Sequence, residues 1–222
     1  MLVLPPVLPP VPLPVPLPVA AGRRDTRPWG ILGRMATHIT GDDHADQVLT
    51  DSPFALLLGM LLDQQFPMER AFAGPAKILD RFGGLDPAAI AAAEPEQFAS
   101  LCAEPPAVHR FPGSMAERVQ AVAGIVTQEY AGHAERIWTE AADADDLLKR
   151  MTALPGFGQQ KAQIFVALLA KQLDVRPEGW EAAVGDYSQE GYRSVADVVD
   201  EASLDKVRAY KKDKKAAARP GA

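Results

Sequence analysis

Cysteine is almost missing from this chain: Cys102 is the only one in 222 residues. A lone thiol forms no internal disulfide and builds no all-cysteine zinc or iron–sulfur site, and it suits a reducing cytoplasmic setting. An excess of basic charge is missing too. The formal net charge of −6 excludes a protein that coats nucleic acid by bulk attraction, while leaving room for a local basic face. Val, Ile and Tyr rarely alternate with period two, so no sheet is expected. His38, His44 and His133 have no metal-ligand spacing, so no side-chain metal site is expected. There is no internal repeat.

What is present begins with an unusual N-terminus. Residues 1–19 are almost wholly Pro, Val and Leu. No basic residue precedes this apolar run as a signal peptide requires, and repeated proline prevents the regular helix of a membrane span. The stretch reads as polyproline-like chain, followed by Arg23, Arg24 and Arg27. We expect residues 1–34 to be a Pro-rich disordered tail or an upstream artefact, with the folded chain starting near Met35. Residues 35–202 form the main helical domain. Residues 203–222 form a basic C-terminal helix and tail, in which Lys206, Arg208, Lys211, Lys212, Lys214, Lys215 and Arg219 outnumber Asp205 and Asp213.

From Ala45 onward the pattern is helical. Phe54, Leu57, Leu58, Leu61 and Leu62 define one apolar face behind Asp51 or Ser52 as cap and Pro53 at the first position. A second segment runs from Pro67 to Arg81, is split or kinked at Gly74-Pro75, and ends at Gly83-Gly84. Short helices fit 87–93 and 95–102, with a loop over 104–114. Ser114 caps a helix burying Met115, Val119, Val122, Ala123 and Val126. Helices follow at 133–141, 144–152 and, beyond a glycine turn, through Ala162, Phe165, Val166 and Leu169. Ser194 caps 195–201, and Ser203 caps the last helix. The fold class is all-α.

The glycine turn, Leu154-Pro155-Gly156-Phe157-Gly158, carries the chemistry. Glycine tolerates positive φ and keeps Cβ away from outward-facing amides. Those amides lie beside the N-terminus of the next helix, where peptide dipoles favour an anion such as phosphate. On local spacing alone, an ordinary glycine-capped corner between two helices reads equally well.

Three blocks in order extend the reading. Leu62-Asp63-Gln64-Gln65-Phe66-Pro67, Pro112-Gly113-Ser114-Met115-Ala116-Glu117-Arg118-Val119 and Leu154 to Ala162 together resemble the helix-hairpin-helix DNA glycosylases of base excision repair, over roughly residues 45–185. The resemblance implies two helical subdomains around a cleft, double-stranded DNA as partner, and a damaged or mismatched base rotated out of the stack. It implies a monomer at the cytoplasmic nucleoid with no membrane association. Pro155, Gly156, Phe157 and Gly158 would form the phosphate turn, with Gln160 and Lys161 on the DNA side, and Gln65 would fill the space left by the flipped base. A monovalent cation held by hairpin carbonyls is implied as well. The four-cysteine iron–sulfur cluster of some relatives is excluded by the single Cys102.

The expected catalytic groups are altered. The family places an aspartate in a V-D-[TS]-H segment beyond the hairpin, to stabilise positive charge on the sugar. Here the segment reads Leu173-Asp174-Val175-Arg176-Pro177-Glu178-Gly179-Trp180. Ungapped counting puts Glu178 in that place, with Asp174 before it and Glu181 and Asp186 after it. The lysine that forms a Schiff base in bifunctional members aligns with Gln160; Lys161 is one residue and ~100° of helix further on. An enzyme of this sequence is therefore a monofunctional N-glycosylase. The alternatives are a DNA-binding or damage-recognition module that keeps the hairpin without the acid, and a helical protein-interaction domain. Trp180, Trp138, Tyr130 and Phe111 are candidates to stack on a base, Trp180 first because it adjoins Glu178. His109, Arg110 and Arg118 extend a positive face.

Overall fold

The structure, a computed structural model, describes residues 38–217. The expectation for residues 1–34 lies outside the described residues. Among the described residues there are helices and no strand, as the missing period-two pattern requires.

A first group of helices comprises α1 (Asp43–Asp51), α2 (Pro53–Leu62), α3 (Met68–Phe72), α4 (Gly74–Phe82), α5 (Pro87–Ala92), α6 (Pro95–Ala103) and α7 (Pro112–Glu129). Its centre is α2, which packs on α1, α3, α4 and α7. Ser52 caps α2 by accepting the Ala55 amide, and Pro53 occupies the first turn. The sequence suggests one apolar face, but every residue from Phe54 to Leu62 is buried. Neighbours on all sides explain the difference, and each fully buried leucine contributes roughly 1.5–3 kcal/mol. On α7, Met115, Val119, Val122, Ala123 and Val126 share the buried face as expected. The split near Gly74-Pro75 separates α3 from α4, and Gly83 ends α4 in the left-handed conformation (φ 84°).

A second group surrounds α10 (Gln159–Gln172): α8 (Arg136–Thr139), α9 (Ala144–Ala153), α11 (Trp180–Val184), 3-10 turns at Gly185–Ser188 and Val195–Asp197, and α12 (Glu201–Ala217). Residues Phe165 through Ala170 of α10 are all fully buried. Gln172, at the buried end of α10, directs its amide to the carbonyls of Val195, Ala196 and Val198 and ties down the second 3-10 turn.

Several boundaries differ from expectation, each for a local reason. α7 starts at Pro112, and Ser114 lies inside its first turn with its hydroxyl donating to Phe111 O (3.4 Å). The segment expected at 133–141 shortens to Arg136–Thr139 after a turn with left-handed Ala131 and Gly132. Ser194 caps only a 3-10 turn, in which the Asp197 carboxylate accepts the Ser194 amide in return. α12 starts before Ser203. Asp200 accepts the Ser203 amide at 2.7 Å, and Ser203 Oγ accepts the Asp200 amide at 2.9 Å. Leu204 and Val207 anchor this helix in the core.

Two glycines test this packing. A Cβ at Gly59 in α2 would sit 2.6 Å from the Phe72 ring, whereas one at Gly124 in α7 would meet nothing within 4 Å. Gly59→Ala is expected to lose about 1–3 kcal/mol by overpacking. Gly124→Ala should gain about 0.5–1 kcal/mol by restricting the unfolded chain. Urea denaturation of the two variants checks both signs.

Candidate functional site

The glycine turn joins α9 to α10. Pro155 and Gly156 fill the centre of a four-residue turn closed by Phe157 N–H donating to Leu154 O at 3.1 Å. Proline followed by a left-handed glycine (φ 82° at Gly156) is the type II arrangement. Gly158 does not use positive φ. It is extended (φ −85°, ψ 170°), and a Cβ there would meet nothing within 4 Å. The fold thus has no steric need for glycine at 158, and its missing side chain leaves the solvent approach to the amides clear.

Phe157 turns inward, only 4% exposed, and stands edge-on to Phe165 with centroids 6.3 Å apart. Its amide closes the turn, so Phe157 contributes an anchor, and the amides available to a phosphate are others. The first backbone bond of α10 is from Ala162 N–H to Gly158 O, and no side chain caps the helix. Helical geometry therefore leaves the amides of Gly158, Gln159, Gln160 and Lys161 as open donors at the positive end of the dipole. Gly158, Gln159 and Gln160 are exposed.

The turn is docked on the C-terminal end of α2. A Cβ on Gly156 would lie 2.7 Å from Leu61 Cδ1 and 3.2 Å from Gln64 Nε2. Lys161 Nζ donates to Leu61 O at 2.9 Å and lies 5.6 Å from the Phe157 ring centroid. Burial pulls the Lys161 amine down to about 8, with nearby Arg118 adding to the effect and Asp63 opposing it. Lys161 thus reaches into the junction between the two helix groups and away from the exposed edge of the turn. Gln64 also donates to Leu61 O, and accepts from Arg118 at 2.8 Å.

The neighbouring loop is propped by His109. Its Nε2 donates to Gln64 O (2.9 Å) and its Nδ1 accepts the Phe111 amide (3.1 Å), a pairing that requires the neutral ring. Burial lowers its pKa in agreement. Gln65 is exposed with φ 51°, and its carbonyl accepts from Arg110. The rings of Phe66 and Phe111 flank His109 at 4.7 and 6.0 Å. Phe111 is 47% exposed under the Arg110 guanidinium.

Among the aromatic candidates, Trp138 is core and Tyr130 is half-buried. Trp180 begins α11 beside Glu178. Phe111 is the exposed ring, and Arg110, lying over it, links it to Gln65 O. The proline and glycine following it were the available signal, since they place it at the mouth of a helix.

The acids beyond the turn are spread along the chain. Glu178 is exposed, and its carbonyl accepts the Ala144 amide at the start of α9. From there α9 runs about 15 Å to the turn, so the structure does not bring Glu178 to the hairpin. Asp174 is exposed and paired with Arg176. The chain then returns along α10: Gln163 donates to Ala183 O and Gln160 to Tyr187 Oη. Exposed Asp186 adjoins Tyr187, while Glu181 sits in the first turn of α11. At the hairpin itself, the carboxylate that acts on Lys161 is Asp63.

α12 links the two helix groups. Arg208 pairs with Glu69, and Lys211 lies 3.8 Å from an Asp63 oxygen and 3.6 Å from Met68 Sδ. Between α10 and α12 lies a pocket of about 270 Å³ bounded by Gln160, Tyr187, Arg193, Tyr210, Lys211 and Lys214. Among the described residues no group of three or more His, Cys, Asp or Glu is gathered to hold a metal ion. None of the described helices is long and apolar enough to cross a membrane.

Residues 58–219 match the family described as HhH-GPD superfamily base excision DNA repair protein. No curated protein matches the chain.

The depressed Lys161 amine has a measurable consequence. Below pH 8 both folded and unfolded chains hold the proton and the burial penalty is fully felt. Between pH 8 and the unfolded value of 10.5 only the unfolded chain holds it, so stability rises with pH. Lys161→Met should remove that rise. The stability of the wild type relative to the variant is expected to increase by up to about 3 kcal/mol between pH 7 and 10.5, read by denaturant titration at several pH values.

Proposed function

The chain belongs to the HhH-GPD superfamily of base excision DNA repair proteins, and from that premise we propose that it grips the backbone of double-stranded DNA, as a monomer, with the open amides of Gly158 to Lys161. The observation that carries this reading is an uncapped, exposed helix N-terminus locked by Gly156 against the loop that displays Gln65. Gln65 and Phe111 stand on one rim. They suit entry into the base stack, one filling the space of an extruded base and the other stacking beside it. Arg110 supplies positive charge there. Among the described residues no hydrogen bond reaches the carbonyls of Pro155, Gly156 or Phe157, which fits a monovalent cation bound at the turn and bridging to a phosphate.

The amide grip is testable without disturbing the fold. Gln159 is the first helical residue, where proline is pre-organised, and Gly158 before it already has the extended backbone that proline demands. Gln159→Pro removes one open donor and no internal bond. Its melting temperature should stay the same or rise slightly, while duplex affinity, read by fluorescence anisotropy, falls roughly tenfold for one lost charge-assisted bond. Unchanged affinity would sink the assignment.

Removal of the base without strand cleavage is the second reading. It is favoured by Gln160 standing at the Schiff-base position and by the neighbouring Lys161 amine being engaged with Leu61 O, which leaves no free amine there. Glu178 is the acid that alignment nominates; Asp186 lies on the stretch that returns to the hairpin end of α10. On a panel of lesion-bearing duplexes, abasic product should persist in Glu178→Gln and disappear in Asp186→Asn. The reverse pattern restores Glu178 to the catalytic role, and binding without product on any lesion leaves a damage-recognition module.

A further inference from the structure

We propose that the pocket between α10 and α12 is a binding site for a phosphomonoester on a nucleotide, as found at a phosphorylated end in a broken DNA strand; the DNA source rests on the DNA-binding reading above. The pocket is cationic on two sides. Arg193 faces it from the loop before the second 3-10 turn, Lys211 and Lys214 face it from α12, and no carboxylate lines it. Asp63 approaches Lys211 to 3.8 Å without forming part of the wall. A backbone diester carries one negative charge, whereas a terminal phosphate carries close to two at neutral pH. Three cations around one small space match the terminal group better than a passing diester.

The remaining walls fit the rest of a nucleotide. Tyr187 and Tyr210 offer ring faces and phenol groups. The Tyr187 oxygen accepts from Gln160 Nε2 at 2.8 Å, which leaves its own hydrogen to donate. Arg193 spends one amino group on Gln189, and its buried Nε has no hydrogen-bond partner. At about 270 Å³ the space lies just below the usual range for ligand pockets, so it admits one phosphate-bearing sugar or base and no duplex segment. The pocket adjoins the hairpin, because Gln160 belongs both to the pocket wall and to the open amides of the hairpin. A strand that ends at the hairpin therefore has its terminus within reach of the cations. Such phosphate ends arise when a strand is cut after a base has been removed.

The test compares duplexes nicked at one position and carrying a 5′-phosphate, a 3′-phosphate or only hydroxyls, bound to the full chain and read by anisotropy. One phosphorylated end should bind about tenfold tighter than the hydroxyl nick, as expected for new charge-assisted bonds. Exposed Lys214→Gln should reduce that ratio, and Arg193→Met with Lys214→Gln should bring it close to one, with folding of both variants checked by circular dichroism melting. A thermal-shift arm uses free deoxythymidine monophosphate. A shift with the free nucleotide and no preference among nicked duplexes assigns the phosphomonoester to a free nucleotide. Intact duplex binding with neither response overturns the pocket and leaves the DNA reading standing. Thermal stabilisation by the monophosphate with no duplex binding does the opposite. A phosphate preference that survives the double substitution also overturns the site.

Discussion

The contact on which the functional surface depends is the approach of the α9–α10 turn to the last turn of α2. It exists because residue 156 has no Cβ and adopts φ 82°; any side chain there would strike Leu61. Leu61 O is one of the carbonyls that a helix C-terminus leaves without an intrahelical partner. It receives both Gln64 Nε2 and Lys161 Nζ. A cation at the negative end of a helix is favourable, and this one belongs to the partner helix group. One carbonyl thereby joins the hairpin, the Gln65 loop and, through Gln64, Arg118 of α7.

Charge is distributed to suit that junction. The chain as a whole is acidic, yet Arg110, Arg118, Lys161, Arg193, Lys211 and Lys214 gather around the N-terminal part of the hairpin helix and its neighbouring loop. A field that attracts DNA needs local positive charge and low-dielectric walls, and an overall acidic balance does not prevent it. The same balance discourages indiscriminate adhesion to nucleic acid. α12 brings part of this charge. It is held in the core by Leu204 and Val207, and against the first helix group by Arg208–Glu69 and Lys211–Asp63. The cations of both pairs are about half exposed, and pairs open to solvent contribute only about 0–1 kcal/mol each, so phosphates can compete with the carboxylates for these cations while the apolar anchor keeps the helix in place.

Much of the scaffold was legible in the amino-acid order. Pro53 behind Ser52, the break at Gly74-Pro75, the apolar stripe of α7 and the Pro155-Gly156 turn each carry their own stereochemical instruction, and each occurs where that instruction predicts. Less legible were features that depend on what lies opposite. The leucines of α2 read as one apolar face because periodicity reports the residues of a helix and not the number of its neighbours. Ser114 and Ser203 look like caps, but Pro112 and Asp200 begin their helices earlier.

The site divides along the same line. Local sequence by itself determined the turn: proline and glycine restrict φ so narrowly that the type II geometry, and with it the open N-terminus of α10, follows from five residues. The order of three short blocks was enough to indicate the family. Tertiary structure alone decided which side chains attend that turn. It sent Phe157 and Lys161 inward, displayed Phe111 beside Gln65, carried Glu178 to the far end of α9, and brought Arg193 to Lys211 and Lys214 across a pocket. Those placements follow from how helices separated in sequence come to pack, and spacing along the chain carries no measure of that distance.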